Sequence, residues 1–226
     1  MNDDARFDLH LHSAHSPDSS MPVSAIVEAV AGSGLRGCAL TDHNTVAGLH
    51  ELAEAQREYR GYLFIPGVEI STREGHLLAY GLDTTPPVRR ALAETIEWVD
   101  AHGGVAVPSH PYRRGHGIGN AAALSCKVPC LEGRNGHSTE FANARAELVA
   151  AQRALGTTGG SDAHTPRDVG RAYTIFSEGI ETVDDLLDAL RRGRCRGEGR
   201  SLAGVDRLRV GLRNIGLRAA RAFRPI

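Results

Sequence analysis

The sequence predicts an α/β protein built on a mainly parallel sheet or a single barrel. Strand-like and helix-like segments alternate from the first residues, which is the pattern of successive βα units. A chain of 226 residues and 24.1 kDa is long enough for one large domain with a substantial core. A hydrophobic share of 41% and a charged share of 23% are those of a globular protein, and the longest apolar runs are too short to span a bilayer.

The elements follow in order. Phe7 to His12 reads as a strand, and Val23 to Ala31, after Pro22, as a helix. Gly37 to Thr41 is a short apolar strand, and Thr45 to Arg60 a helix with Thr45 as its cap. Leu63 to Ile70 and Gly75 to Tyr80 are strands, Pro87 to His102 a helix opened by prolines, and Val105 to Pro108 a buried strand. The Gly-rich stretch Arg113 to Asn120 follows Pro111 with no helix-opening pattern after it; it reads as a mobile active-site loop rather than a dinucleotide loop. A strand around Cys130 to Glu132, a helix from about Thr139 to Leu155, a strand at Thr157 to Gly160, an edge-like strand at Ala172 to Phe176 and a helix at Val183 to Arg192 complete the series.

The formal charge of −1 hides an asymmetry: from Ala189 onward there are 11 arginines against Glu198 and Asp206. Residues 1–200 form the domain and 201–226 a basic tail, in which Leu208, Leu212, Ile215 and Ala219 recur at roughly helical spacing among arginines. A loosely docked terminal helix is the plain reading of that tail. A weak nucleic-acid contact through it is the functional one. The acidic N-terminus does not resemble a secretory leader, and Cys38, Cys126, Cys130 and Cys195 lack C-x-x-C spacing, so reduced thiols and a cytoplasmic location are expected.

The chemistry lies in short polar clusters. In Asp8-Leu9-His10-Leu11-His12 the polar residues alternate with leucines, so a strand puts all three on one face, where two imidazoles at i and i+2 can share an ion. Asp8 is then a candidate to orient one of the rings. Asp42-His43, Glu69, His110 and Asp162-Ala163-His164 each fall at the C-terminal end of a predicted strand, the rim on which βα barrels build their active sites. His76 sits in an otherwise apolar strand, where a buried histidine needs a reason. His50 and His102 read as solvated or helix-end histidines, and His15 and His116 as loop residues near the cluster.

DLHLHS at Asp8, SPD ending at Asp18, TDHN at Thr41, GVE at Gly67, SHP at Ser109 and GSDAH at Gly160 together resemble the PHP (polymerase and histidinol phosphatase) domain phosphoesterases, over residues 7 to about 195. The resemblance implies a distorted (βα)7 TIM-like barrel in a single domain, with two or three divalent ions of Mn, Zn or Fe. It also implies one ion on His10, His12, Glu69 and Asp162, which makes these four the catalytic set, with Glu69 bridging to a second ion. The second ion would use His110 and His76, with Glu132 or His137 as alternatives for the last ligand and Cys130 a weaker one. A third would use Asp18, His43 and His164.

Mixed histidine and carboxylate ligation suits ions that activate water, so no side-chain nucleophile is required. Ser13, Ser109 and Ser161 lack a G-x-S-x-G setting and are assigned to local hydrogen bonding. Arg113, Arg114, Arg134 and Arg171 are the candidate phosphate-binding groups, because the planar guanidinium can hold two phosphate oxygens. The expected function is a metal-dependent phosphatase acting on a small phosphorylated metabolite or nucleotide. The rivals are histidinol-phosphate phosphatase, a nuclease acting on nucleic-acid ends, and a non-enzymatic metal-binding module. The interval from His110 to Asp162 leaves no room for an inserted cap domain, which predicts an open pocket.

Overall fold

The structure is a computed structural model that describes residues 4–177 and 179–201. The predicted basic tail lies, beyond Ser201, outside the described residues. Among the described residues, nine strands and six α-helices follow in chain order: β1 (Ala5–Leu11), α1 (Val23–Ala31), β2 (Gly37–Leu40), α2 (Leu49–Glu58), β3 (Leu63–Ser71), β4 (His76–Tyr80), α3 (Leu92–Ala101) and β5 (Val105–Pro108). Then come α4 (Gly119–Ser125), β6 (Cys130–Asn135), α5 (Glu140–Gln152), β7 (Gly156–Gly160), β8 (Ala172–Phe176), α6 (Val183–Arg191) and β9 (Arg196–Gly199).

Seven strands form one sheet in the order β5-β4-β3-β2-β1-β8-β9, and β6 and β7 form a second, parallel pair. The pair touches both β5 and β9, the two edges of the large sheet, so that sheet is curled around it. This corrects the expected (βα)7 barrel with its mainly parallel order. Among the described residues only β1–β2, β2–β3 and β6–β7 run parallel; β3–β4, β4–β5, β1–β8 and β8–β9 are antiparallel. The four residues between β3 and β4 are too few for a crossover and force a hairpin.

Glycines let β7 press against its neighbours. A Cβ on Gly160 would collide with His10, and one on Gly159 with the Tyr173 carbonyl. Asp162 N therefore reaches His10 O (2.8 Å) and His12 N reaches Ala163 O (3.0 Å), which joins the loop after β7 to the end of β1. Phe7, Leu9, Ile65, Leu78, Tyr80 and Phe176 fill the core beneath.

Several predicted boundaries move for local reasons. Helix α2 starts at Leu49, not Thr45, whose hydroxyl instead accepts from Ala47 N in a turn (3.2 Å); Gly48 precedes the helix tight against Leu40 and Asp42. Helix α3 starts at Leu92, where Glu74 accepts the Leu92 N–H (2.7 Å), because residues 89–90 are engaged in backbone hydrogen bonds with Ser71 and Arg73. Strand β8 is internal, covered by the unpredicted β9, which ends the seven-stranded sheet and carries Arg196 and Glu198.

The Gly-rich loop is tied down. His76 N donates to His116 O (2.9 Å), Gly117 N to Arg113 O (2.8 Å) and Gly119 N to Pro111 O (3.0 Å). Gly75 and Gly117 pack with no space for a Cβ, and the unpredicted α4 follows directly. No helix among the described residues is long and apolar enough to cross a membrane.

Candidate metal centre

All nine residues of the predicted ligand set come together at one rim. His10 and His12 arrive from the end of β1, His43 from the loop after β2, Glu69 from β3, His110 from the end of β5, and Asp162 and His164 from the loop after β7. His76 joins them although it opens its strand. β4 runs antiparallel to β3 and pairs His76 with Ser71, so the first residue of β4 lies at the end where β3 finishes.

His10, His12, Glu69 and Asp162 meet around the two inner ring nitrogens. His10 Nε2 and His12 Nε2 are 3.1 Å apart, each is 3.4 Å from Glu69 Oε2, and Asp162 Oδ1 lies 3.7 Å from the first and 3.2 Å from the second. A tetrahedron with bonds of about 2.1 Å has edges of about 3.4 Å, so these separations suit an ion. The far ring nitrogens are already taken: His10 Nδ1 lies 2.8 Å from Glu132 Oε1 and His12 Nδ1 3.1 Å from Ser16 Oγ, which aims both Nε2 atoms inward.

Glu69 is shared. Its Oε1 lies 3.0 Å from His110 Nε2 and 3.1 Å from His76 Nδ1, while Oε2 lies 3.0 Å from His43 Nδ1. On the other flank, Asp18 Oδ2 sits 3.4 Å from His43 Nε2 and 3.2 Å from His164 Nε2. Asp18 Oδ1 and His110 Nδ1 are buried with no hydrogen-bond partner among the described residues. Unsatisfied buried polar atoms are costly, and a donor set of imidazoles and carboxylates fits borderline divalent ions.

The charges alternate across the cluster. Burial opposes ionisation of Glu69, but His10, His43 and His76 hold its carboxyl well below the usual range. Asp162 is likewise held well below despite burial, chiefly by Arg113 and His10. Burial, with the charges of His43 and His164, lowers His12 to about 4, and burial together with Arg113 lowers His110 to about 3. Both thus keep a free lone pair. His43 overcomes its burial through Glu69 and Asp18 and rises to about 9. His110 (φ 29°) and Asp162 (φ 56°) both adopt the left-handed backbone region that non-glycine residues avoid, a strain that clusters at functional sites.

The other candidates separate clearly. Glu132 backs His10 and accepts from His110 N (2.6 Å), so it orients the centre from outside. His137 groups with Asp162 and His164. Cys130 lies against Leu190 and Cys195 and does not enter the centre. Asp8 orients no ring; it accepts from Ser161 N (2.8 Å) and Gly170 N (2.8 Å) and pins the loop after β7. Asp42 accepts from Ser13 N and Oγ (both 2.6 Å), and Ser109 Oγ donates to Glu69 (2.7 Å). His15 pairs with Glu51, His102 stacks on Trp98 and His50 is exposed near Glu54.

Of the four arginines, Arg113 alone lines the cavity of about 280 Å³ above the centre; its Nη2 donates to Asp162 Oδ2 (2.6 Å) and Asn135 Oδ1 (2.5 Å). Arg134 bonds Glu140 and Glu147 on α5, Arg171 bonds Asp168, and Arg114 is exposed on the loop. Arg114, Arg134 and Arg171 do not line that cavity. The interval from His110 to Asp162 is filled by α4, β6, α5 and β7, with no inserted domain.

This rim of strand-end histidines and carboxylates on a curled α/β sheet has counterparts. The model of the PHP domain matches residues 8–154, and that described as PHP-associated matches residues 140–195. The chain belongs to the PHP domain family. It is 38% identical over 94 residues to the 5′-3′ exoribonuclease of Haemophilus influenzae, covering 40% of this chain and 34% of that protein. It is 34% identical over 96 residues to the 3′,5′-nucleoside bisphosphate phosphatase of Chromobacterium violaceum, covering 41% of this chain and 33% of that protein. Each match thus spans about a third of the relative's length. In fold, the chain is similar to PsfC of Pseudomonas syringae, with a TM-score of 0.71, 22% identity, and coverage of 97% of this chain and 100% of that one.

Proposed function

We propose that the protein is a metal-dependent phosphoesterase that removes a phosphoryl group from a nucleotide or a related small phosphorylated molecule. The observation that carries this reading is the convergence of four buried donors at ion-like spacing, with Arg113 beside one of them. His10, His12, Glu69 and Asp162 would hold one ion, Glu69 with His76 and His110 a second, and Asp18, His43 and His164 a third, as Mn, Zn or Fe. Bound divalent ions lower the pKa of water and clamp the attacking and leaving oxygens of an in-line displacement.

The chain's own groups do the rest. Arg113, released in part from Asp162, binds phosphoryl oxygens through its planar fork. Glu132 and Ser16 keep His10 and His12 aimed. Ser109 and Arg113 hold the Glu69 and Asp162 carboxylates in place. The domain occupies residues 1–200, and the cytoplasm is the expected location.

The relatives named above favour a phosphorylated nucleotide or a 5′-phosphorylated nucleic-acid end as substrate. The test is hydrolysis of a panel that includes nucleoside 3′,5′-bisphosphates, 5′-phosphorylated oligoribonucleotides and histidinol phosphate, by protein loaded in turn with Mn, Zn and Fe. Turnover of a phosphoester that is abolished by Asp162→Asn is the expected result. Protein that binds ions and hydrolyses no member of the panel would leave a non-enzymatic metal-binding module as the better reading.

A further inference from the structure

The loop between β6 and α5 places a histidine in the cavity that the nine-residue ligand set does not use. His137 is held there by its surroundings. Its backbone N donates to Asn135 Oδ1 (2.9 Å), and the preceding Gly136 N donates to Gly160 O (2.9 Å). Gly136 lies so close to Ser161 that a Cβ would meet the Ser161 carbonyl, so the loop is pressed onto the segment that leads to Asp162. The His137 ring stacks on His164, with centroids 5.5 Å apart and planes 13° apart. Its Nε2 is buried and has no hydrogen-bond partner among the described residues.

A ring nitrogen of His137 lies with a ring nitrogen of His164 and a carboxylate oxygen of Asp162 in a group whose atoms are all within 4.8 Å of one another. The chemistry around it favours an anion over a further cation. Asp162 Oδ2 is already occupied by Arg113 (2.6 Å) and Asn135 (3.3 Å), and its Oδ1 faces His10 and His12. A guanidinium at that distance repels an additional metal ion and attracts a phosphate oxygen. Arg113 and His137 both line the same cavity, on its Asp162 side.

We propose that His137 is a substrate-binding residue whose Nε2 meets an oxygen of the phosphoryl group held by Arg113. This rests on the phosphoesterase reading above. Arg113 supplies the charge, and His137 supplies a second, fixed contact that selects the tetrahedral phosphoryl group over a planar carboxylate.

The experiment compares wild type, His137→Leu and His137→Gln as metal-loaded full-length protein. Three quantities are read: metal content by mass spectrometry, calorimetric affinity for inorganic phosphate, and kcat/KM on p-nitrophenyl phosphate. Loss of one preorganised contact predicts a fall in kcat/KM of roughly 100-fold for His137→Leu, weaker phosphate binding and unchanged metal content. His137→Gln, whose amide can donate at a similar reach, recovers part of both.

Phosphate affinity and kcat/KM within about twofold of wild type in both variants would overturn the proposal, as would the loss of one bound ion, which would make His137 a ligand. If His137→Leu fails to fold, His137→Gln decides by the same readings. Wild type that turns over no phosphoester would sink the phosphoesterase reading instead, and the phosphate-affinity comparison would still decide His137.

Discussion

The two kinds of candidate site residue behave oppositely. Every histidine and carboxylate of the nine-residue set reaches the rim, whereas one arginine in four does. The difference lies in what fixes the side chain. His10 and Glu69 sit in strands and His12 follows β1 directly, so the extended backbone dictates the face that each short side chain takes. Arg134 and Arg171 have long, flexible side chains and pair with Glu147 (2.6 Å) and Asp168 (2.7 Å) near their own backbones. Short ligand side chains are placed by the backbone; long cationic side chains are placed by competition among carboxylates.

That contrast can be broken or sharpened by mutation. Glu69→Gln and Asp162→Asn should have the largest effect, because each residue touches several of the converging groups. Hydrolysis should fall below detection, and mass spectrometry should show fewer ions per chain. Arg113→Ala follows, with kcat/KM down roughly 100-fold or more and metal content retained. Arg134→Ala, its control, should leave kcat/KM unchanged and cost about 1 kcal/mol or less in chemical denaturation, because its partners are partly exposed. Equal losses of activity in the two arginine variants would contradict the distinction.

Glu132→Gln tests whether a group outside the centre tunes it. Metal affinity should weaken by about 10–100-fold, measured by chelator competition, while the fold persists. The pH dependence carries a definite sign. In metal-free protein His43 is raised to about 9 from 6.5, so its contribution is full below pH 6.5 and lost as pH rises towards 9. Glu69 is depressed from 4.5, so its contribution is present above pH 4.5 and lost as pH falls below it. Burial lowers His12 to about 4 and His110 to about 3, so their contribution is full above pH 6.5 and lost as pH falls below it, and the metal-free protein should be most stable near pH 6.5. Loading with Mn should remove the alkaline loss, as ions replace the protons on His10 and His43. Thermal unfolding with and without chelator reads both arms.

The smallest expected effect lies farthest from the rim. Thr182→Ala removes the cap of α6, whose hydroxyl accepts from Asp185 N (3.1 Å), and should cost about 1 kcal/mol with no change in hydrolysis.

The rim was legible because its signals are local: a polar residue alternating with leucines, or an acid and a histidine just past an apolar run. His76 was legible for the same reason, as a lone polar residue in β4, though its place depends on β4 running antiparallel. Antiparallel order was not legible from βα alternation, since a helix can join antiparallel strands as α3 joins β4 to β5. Strand β9 was hidden because an edge strand keeps charged residues, which in sequence read as the start of the basic tail. Cys130 and Cys195, whose Sγ atoms lie 3.5 Å apart, are 65 residues apart in sequence, and no local pattern announces such a contact. Glu132 was read as an alternative ligand; that it serves His10 from behind depends on where β6 meets β1 in space.

The central claim is that the rim is a multinuclear metal centre. It is tested most directly by counting ions in protein purified from cells supplemented with Mn, Zn and Fe, using mass spectrometry after removal of loosely bound metal. The account predicts about two or three ions per chain, falling in His10→Ala. Fewer than about one ion per chain in folded wild-type protein, unchanged by that substitution, would contradict it.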